Sequence, residues 1–192
     1  MTNADAASVG APLTPAEFPS AHGAGLALRA FTADGVSSAD LAFLSRLYAS
    51  TRAEELAPVP WSEAEKAAFL DMQFHAQHTH YMQNYPDAAW FIIEREGEAI
   101  GRLYLERWPS EIRIIDIALL PLARGNGLGA ALLADVLAMA EREGRAVGIH
   151  VEHNNRAMGL YRRLGFILVE DKGIYHLLRW RPGTVAASAA NG

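Results

Sequence analysis

The chain has no cysteine, which excludes disulfide scaffolds, thiolate metal sites and cysteine nucleophiles together. Any chemistry must therefore come from oxygen and nitrogen side chains. Positive charge is also in short supply: 22 acidic residues stand against 17 basic ones. That balance argues against a nucleic-acid backbone as partner and leans toward a cationic one such as an amine. Long apolar runs are missing too. No stretch reaches the roughly 18 apolar residues of a membrane span, and the first residues show neither the basic start nor the apolar core of a secretory signal. No membrane partner is expected, and a cytoplasmic location is.

What is present suits one globular domain. Of 192 residues, 51% are hydrophobic and 20% charged, enough to bury a single core. Residues 1–24 and 182–192 are rich in small and turn-forming residues with little periodicity and read as disordered tails around a domain spanning 25–181. Leu26 to Phe31 reads as a strand. Ser37 or Ser38 then caps a helix whose Leu41, Leu44, Leu47 and Tyr48 recur at helical spacing, and Ser62 with Glu65 forms a capping box for a second helix running to Tyr85-Pro86. From Ala89 the period becomes that of strands: Trp90 to Glu94, Ala99 to Arg107 and Ile112 to Leu120, joined by short turns, predict an antiparallel meander. A glycine-rich turn follows, then an amphipathic helix to Glu143 with Gly144 as its stop. A strand from Ala146 to Glu152, a short helix from Asn155 to Leu164 and a final strand pair complete the order.

The densest chemical signal is Arg124-Gly125-Asn126-Gly127-Leu128-Gly129-Ala130, between a strand and an amphipathic helix. Glycines there let consecutive backbone N–H groups converge on one anion at a helix N-terminus, where those donors lack intrahelical partners. A diphosphate fits; a merely tight strand-to-helix turn is the plain alternative. Gly125, Gly127 and Ala130 also satisfy the dinucleotide-binding fingerprint, with Glu152 at the end of the next strand. The preceding hairpin-connected strands and the short remaining chain argue against a doubly wound sheet, although a nicotinamide oxidoreductase stays open on spacing. The nucleotide-triphosphate loop fails, since no Gly-Lys-Ser/Thr ends the turn.

A second constellation follows: Asn154-Asn155-Arg156-Ala157-Met158-Gly159-Leu160-Tyr161-Arg162-Arg163-Leu164-Gly165-Phe166. Together with the strand ending Leu119-Leu120-Pro121 and the Arg-x-x-Gly-x-Gly turn, it resembles the GNAT superfamily, the GCN5-related N-acetyltransferases. The resemblance is specific from Ile112 to Phe166 and extends over residues 25–107 only as element order. It implies a mixed α/β domain with a twisted, largely antiparallel sheet of six or seven strands packed by about four helices. It implies acetyl-CoA as cosubstrate, with its diphosphate on the amides of Arg124 through Ala130 and its pantetheine along Ile117, Ala118 and Leu119, where a bulge splays the strand from its neighbour. Asn154 matches a pantetheine contact and Tyr161 the acid that protonates the departing thiolate. Transfer would be direct, to a small-molecule or peptide amine; a non-catalytic acyl-CoA sensor is the alternative. Tyr161 as a packing residue and Asn154 as a helix cap are the plain readings.

The general base is less defined. Asp116 interrupts the apolar run Ile112-Arg113-Ile114-Ile115-Asp116-Ile117, and a carboxylate in mid-sheet is expensive unless paired or functional. It ranks first as base, against an ion pair to Arg102 or Arg113; Glu106, His150 and Glu152 are alternatives. His75, His78 and His80 lack a carboxylate to complete a metal set, so no metal is expected. His78 and Tyr81 are placed beside the acceptor by the resemblance. The apolar character of Ile174 to Trp180 suggests a homodimer contact.

Overall fold

The computed structural model describes residues 12–32 and 35–183. Seven strands form one sheet: β1 (Leu26–Phe31), β2 (Ala89–Arg95), β3 (Glu98–Arg107), β4 (Glu111–Leu119), β5 (Ala146–Glu152), β6 (Ile167–Asp171) and β7 (Tyr175–Trp180). Their spatial order is β1-β2-β3-β4-β5-β7-β6, and every pairing is antiparallel except β4 with β5. Five helices pack on it: α1 (Pro19–Gly23), α2 (Ser38–Leu56), α3 (Glu63–Asn84), α4 (Leu128–Glu143) and α5 (Met158–Arg163).

The local signals act as expected. Ser37 Oγ accepts from the Asp40 amide at 3.1 Å to start α2, and the Ser62–Glu65 capping box starts α3, with the Ser62 amide donating to Glu65 at 2.7 Å. One sheet face buries Leu103, Leu105, Ile112, Ile114 and Ile149 against Leu132, Leu133 and Val136 of α4. The other buries Trp90, Ile92 and Tyr104 beneath Leu44 and Leu47 of α2 and Phe74 of α3.

One expectation needs correction. The folded unit begins before residue 25. Leu13, Phe18 and Ala21 are buried, a 3-10 turn spans Pro15–Glu17, and the Phe18 ring meets Phe91 edge-on at 5.6 Å. The carboxylate of Asp135, buried on α4, accepts from the amides of Ser20 at 2.9 Å and Ala21 at 2.8 Å, satisfying the first turn of α1. Residues 1–11 and 184–192 of the expected tails lie outside the described residues. The Ile174 to Trp180 segment, expected as a homodimer contact on its apolar character, has Ile174 and Tyr175 exposed at its start. β7 is flanked by β5 and β6, and the edge belongs to β6. Among the described residues no helix is long and apolar enough to cross a membrane.

Candidate active site

β4 carries the geometry on which the site depends. Tyr104 faces Asp116 while Leu105 faces Ile114, so Ile115 is an extra residue bulging from the ladder. On its other edge, β4 pairs with β5 only from Glu111 to Ile114. Past Ile114 the two strands part, leaving a wedge.

The Leu120 amide donates to Ile100 on β3 at 2.8 Å. Because backbone polar groups alternate sides along a strand, the N–H and C=O of Leu119, and likewise of Ile117, face the wedge, whereas those of Ala118 are turned to β3. Two of the three residues expected to meet a pantetheine arm therefore present hydrogen-bonding edges to it.

Gly101 permits a close approach of β3 to this end of β4. It pairs with Leu119, and a Cβ on it would stand 2.5 Å from the Ala118 carbonyl oxygen and 2.6 Å from Leu119 Cδ2. Sequence reasoning passed over this residue, although a lone glycine inside a strand signals close backbone approach.

The glycine turn closes one end of the wedge. Gly125 and Gly127 adopt φ of 81° and 75°, a region that other residues enter at a cost. Gly127 is the N-cap of α4 and gives no side-chain cap. The amides from Gly125 to Ala130 form no hydrogen bond among the described residues, the arrangement that accepts an anion. Arg124 differs: its amide donates to Pro121 at 3.2 Å, so its backbone does not belong to the free run. Its side chain reaches back instead, and Nε donates to the Leu119 carbonyl at 2.8 Å.

Tyr161 on α5 is 3% exposed and stacks edge-on against Phe166 at 5.4 Å. Burial raises its phenol pKa above the ordinary range, and the negative charge of Asp116 adds to that shift. The phenol stays protonated at neutral pH, as a proton donor must. The N-cap of α5 is Ala157, with no side-chain cap; Asn155 Oδ1 accepts from the Ala157 amide at 2.8 Å in the turn before the helix.

Asp116 is paired. Arg102, itself buried, donates to its Oδ2 at 2.5 Å, and the Tyr81 hydroxyl donates to the same oxygen at 3.3 Å. Arg102 also donates to Gln77 at 3.0 Å. Arg113, the other expected partner, instead binds Glu111 at 2.6 Å. The alternative bases are likewise engaged. Glu106 accepts from the Trp108 indole N–H, His150 Nδ1 takes the Arg113 guanidinium at 3.2 Å, and Glu152 pairs with Arg52 at 2.5 Å. Burial, then the charge of Arg113, pushes the His150 pKa down. Among the three helix histidines, His75 meets the Asp71 carbonyl at 2.9 Å and His80 meets Asn84 at 3.1 Å. His78 lies against Phe74 with its pKa lowered by burial. Among the described residues no three His, Cys, Asp or Glu side chains form a metal cluster.

A cavity of about 550 Å³ lies between α2, α3, the end of β5 and the start of β7. Tyr48, Phe69 and Tyr175 give it aromatic walls, Gln73, Gln77 and Asn154 amides, and Arg52, Glu55 and Glu152 charge. Gln77 connects this cavity to the Arg102–Asp116 pair. Two ion pairs, Arg52 with Glu152 and Glu54 with Arg156, tie α2 to the end of β5 and to the segment that follows it.

Comparison with known proteins places these features in context. Residues 49–166 match the model of the acetyltransferase (GNAT) family. Among solved structures, the chain resembles the PaiA N-acetyltransferase of Thermoplasma acidophilum in complex with coenzyme A. That likeness has a TM-score of 0.59 and 15% identity, covering 81% of this chain and 98% of that one. A GNAT family acetyltransferase of Elizabethkingia anophelis with acetyl-CoA bound gives a TM-score of 0.51 and 18% identity over 82% and 98%. An acetyltransferase of Thermus thermophilus gives 0.57 and 19% over 81% and 96%. No curated protein sequence matches.

Proposed function

The chain belongs to the acetyltransferase (GNAT) family, and on that premise we propose that it transfers the acetyl group of acetyl-CoA directly to a primary amine. The observation that carries this reading is the parting of β4 from β5 beside a run of unpaired amides.

Acetyl-CoA would supply the activated thioester. The amides from Gly125 to Ala130 would hold its diphosphate, and the backbone edges of Ile117 and Leu119 would receive the pantetheine arm. The Leu119 N–H faces the wedge and supplies a donor for negative charge developing on the carbonyl oxygen. Tyr161, buried and protonated, gives the leaving thiolate its proton. Asp116 is our proton acceptor. Both of its donors converge on Oδ2, leaving Oδ1 for the ammonium proton, and its charge already reaches Tyr161. Glu152 on the cavity wall is the second choice, and it too carries an arginine partner, Arg52, which weakens a carboxylate as a base. The cavity holds the acceptor, whether small molecule or peptide N-terminus. No metal, nucleic acid or membrane enters this reading, and the setting is cytoplasmic.

The test is thermal unfolding with and without excess acetyl-CoA, with NAD as control. Ligand at a hundred times its Kd adds about 2.7 kcal/mol, and each kcal/mol raises the midpoint by roughly 2 to 4 °C in a domain of this size. A rise with acetyl-CoA alone, followed by amine-dependent release of free thiol, supports the reading. Stabilisation by NAD alone would return the glycine turn to a dinucleotide, and binding without thiol release from any amine would leave a sensor.

A further inference from the structure

The Arg124 side chain lies where the proposed thioester arm has to bind. Leu119 is the last residue of β4, past the point where β5 departs, and its carbonyl faces the wedge. An entering amide N–H would need that carbonyl as acceptor, and of its two lone pairs Arg124 Nε already takes one at 2.8 Å. The arginine is electrostatically ill-matched to this partner. It is half-buried against a neutral oxygen, and both burial and the nearby charge of Arg156 lower its pKa. A guanidinium so placed gains more from a dianion than from a carbonyl. The anion-accepting turn begins at the next residue.

We propose that Arg124 is a specificity latch: its guanidinium closes the Leu119 carbonyl, as seen here, and must move to a diphosphate on the adjacent turn before a thioester arm can enter. The inference rests on the function proposed above and goes beyond it. It states that diphosphate binding and wedge opening are coupled through one side chain, so that coenzyme A thioesters are selected over the same thioester on bare pantetheine. A bare arm must break the Arg124 bond with nothing to offset the loss. The full coenzyme offers a better partner.

Two calorimetric measurements on the intact chain test this. In the first, wild type and Arg124→Met are titrated with acetyl-CoA and with acetyl-pantetheine. Methionine keeps the apolar stem and removes the donor. The latch requires opposite signs: acetyl-CoA binds about tenfold more weakly and acetyl-pantetheine about tenfold more tightly, the scale of one charge-assisted hydrogen bond. A merely structural Arg124 would weaken both, and an idle one would change neither; each result overturns the proposal. The second needs no variant. Inorganic pyrophosphate added to wild type should tighten acetyl-pantetheine by a similar factor, because it draws Arg124 away. No change, or competition, overturns the latch. Wild type that binds no acetyl-CoA removes the proposed function as well, whereas wild type that binds it but shows no sign reversal removes the latch alone.

Discussion

The two faces of the sheet are built on different terms. Beneath α4 the core is almost wholly apolar, aliphatic side chains with aromatic ones such as Phe18, Phe91 and Phe166, and its one buried carboxylate among the described residues, Asp135, is satisfied by two backbone amides of α1. Beneath α2 and α3 the core includes Arg102, Asp116, Tyr81, Tyr104 and Gln77 in mutual contact. Burying charge there costs free energy that an apolar set would not. One face thus holds the chain together, while the other maintains a polar cluster beside the wedge at the expense of stability.

If that contrast is right, the polar face should respond most strongly to losing half a pair. Arg102→Met leaves Asp116 half-buried with only the Tyr81 hydroxyl as donor, and unfolding in urea should show a loss of about 3 kcal/mol, the low end for a broken buried pair. Adding Asp116→Leu should restore most of it. A double variant that is stable yet inactive would show that the pair is kept for chemistry; one that keeps full activity would remove Asp116 from the mechanism.

On the α4 face, Asp135→Ala strips two buried amides of their acceptor and should destabilise by about 2 to 4 kcal/mol. Its KM for acetyl-CoA should not move. A large change in kcat instead would mean that the α1 strap reaches the site and that the faces are not separate.

Tyr161 crosses the division, since it belongs to the α4-side core but is proposed to do chemistry. Tyr161→Phe should lower kcat by about a hundredfold, at the low end for a lost acid, while its melting point stays near wild type. Unchanged turnover across pH would leave Tyr161 as packing.

Much of this was legible in the sequence because the signals are local. The strand from Ala146 to Glu152, the capping box at Ser62 and the stop at Gly144 appear at the expected residues. What escaped depends on distant partners. The α1 segment is a single turn, too short to show a period, and its anchor Asp135 lies far along the chain. The partner of Asp116 was open between Arg102 and Arg113; the bulge puts Asp116 on their face of the sheet, and Arg113 is taken by Glu111. Ile112 and Ile114 point to one face, and after the extra residue at Ile115 the same face is taken by Ile117 and Leu119, which turns Asp116 toward Tyr104 and Arg102. That change of phase, from 112 and 114 to 117 and 119, is visible in the sequence and could have been read as a bulge. No local pattern shows that Arg124 would reach Leu119.

The smallest effect separates the faces by titration. Tyr104 and Tyr161 are buried and Tyr81 is half-buried, and desolvation raises the pKa of each above that of a free phenol. In the unfolded chain these phenols ionise near pH 10. Above that pH the unfolded state has released protons that the native state still holds, so stability falls as pH rises. Each such tyrosine contributes a slope of at most about 1.4 kcal/mol per pH unit. Urea unfolding between about pH 9 and 11.5 should therefore steepen with pH, and Tyr104→Phe should flatten the curve by one tyrosine's share. An unchanged slope would mean that Tyr104 is open to solvent in the working protein. The polar face would then be a hydrated surface, not a buried cluster, and the contrast between the two faces would fail.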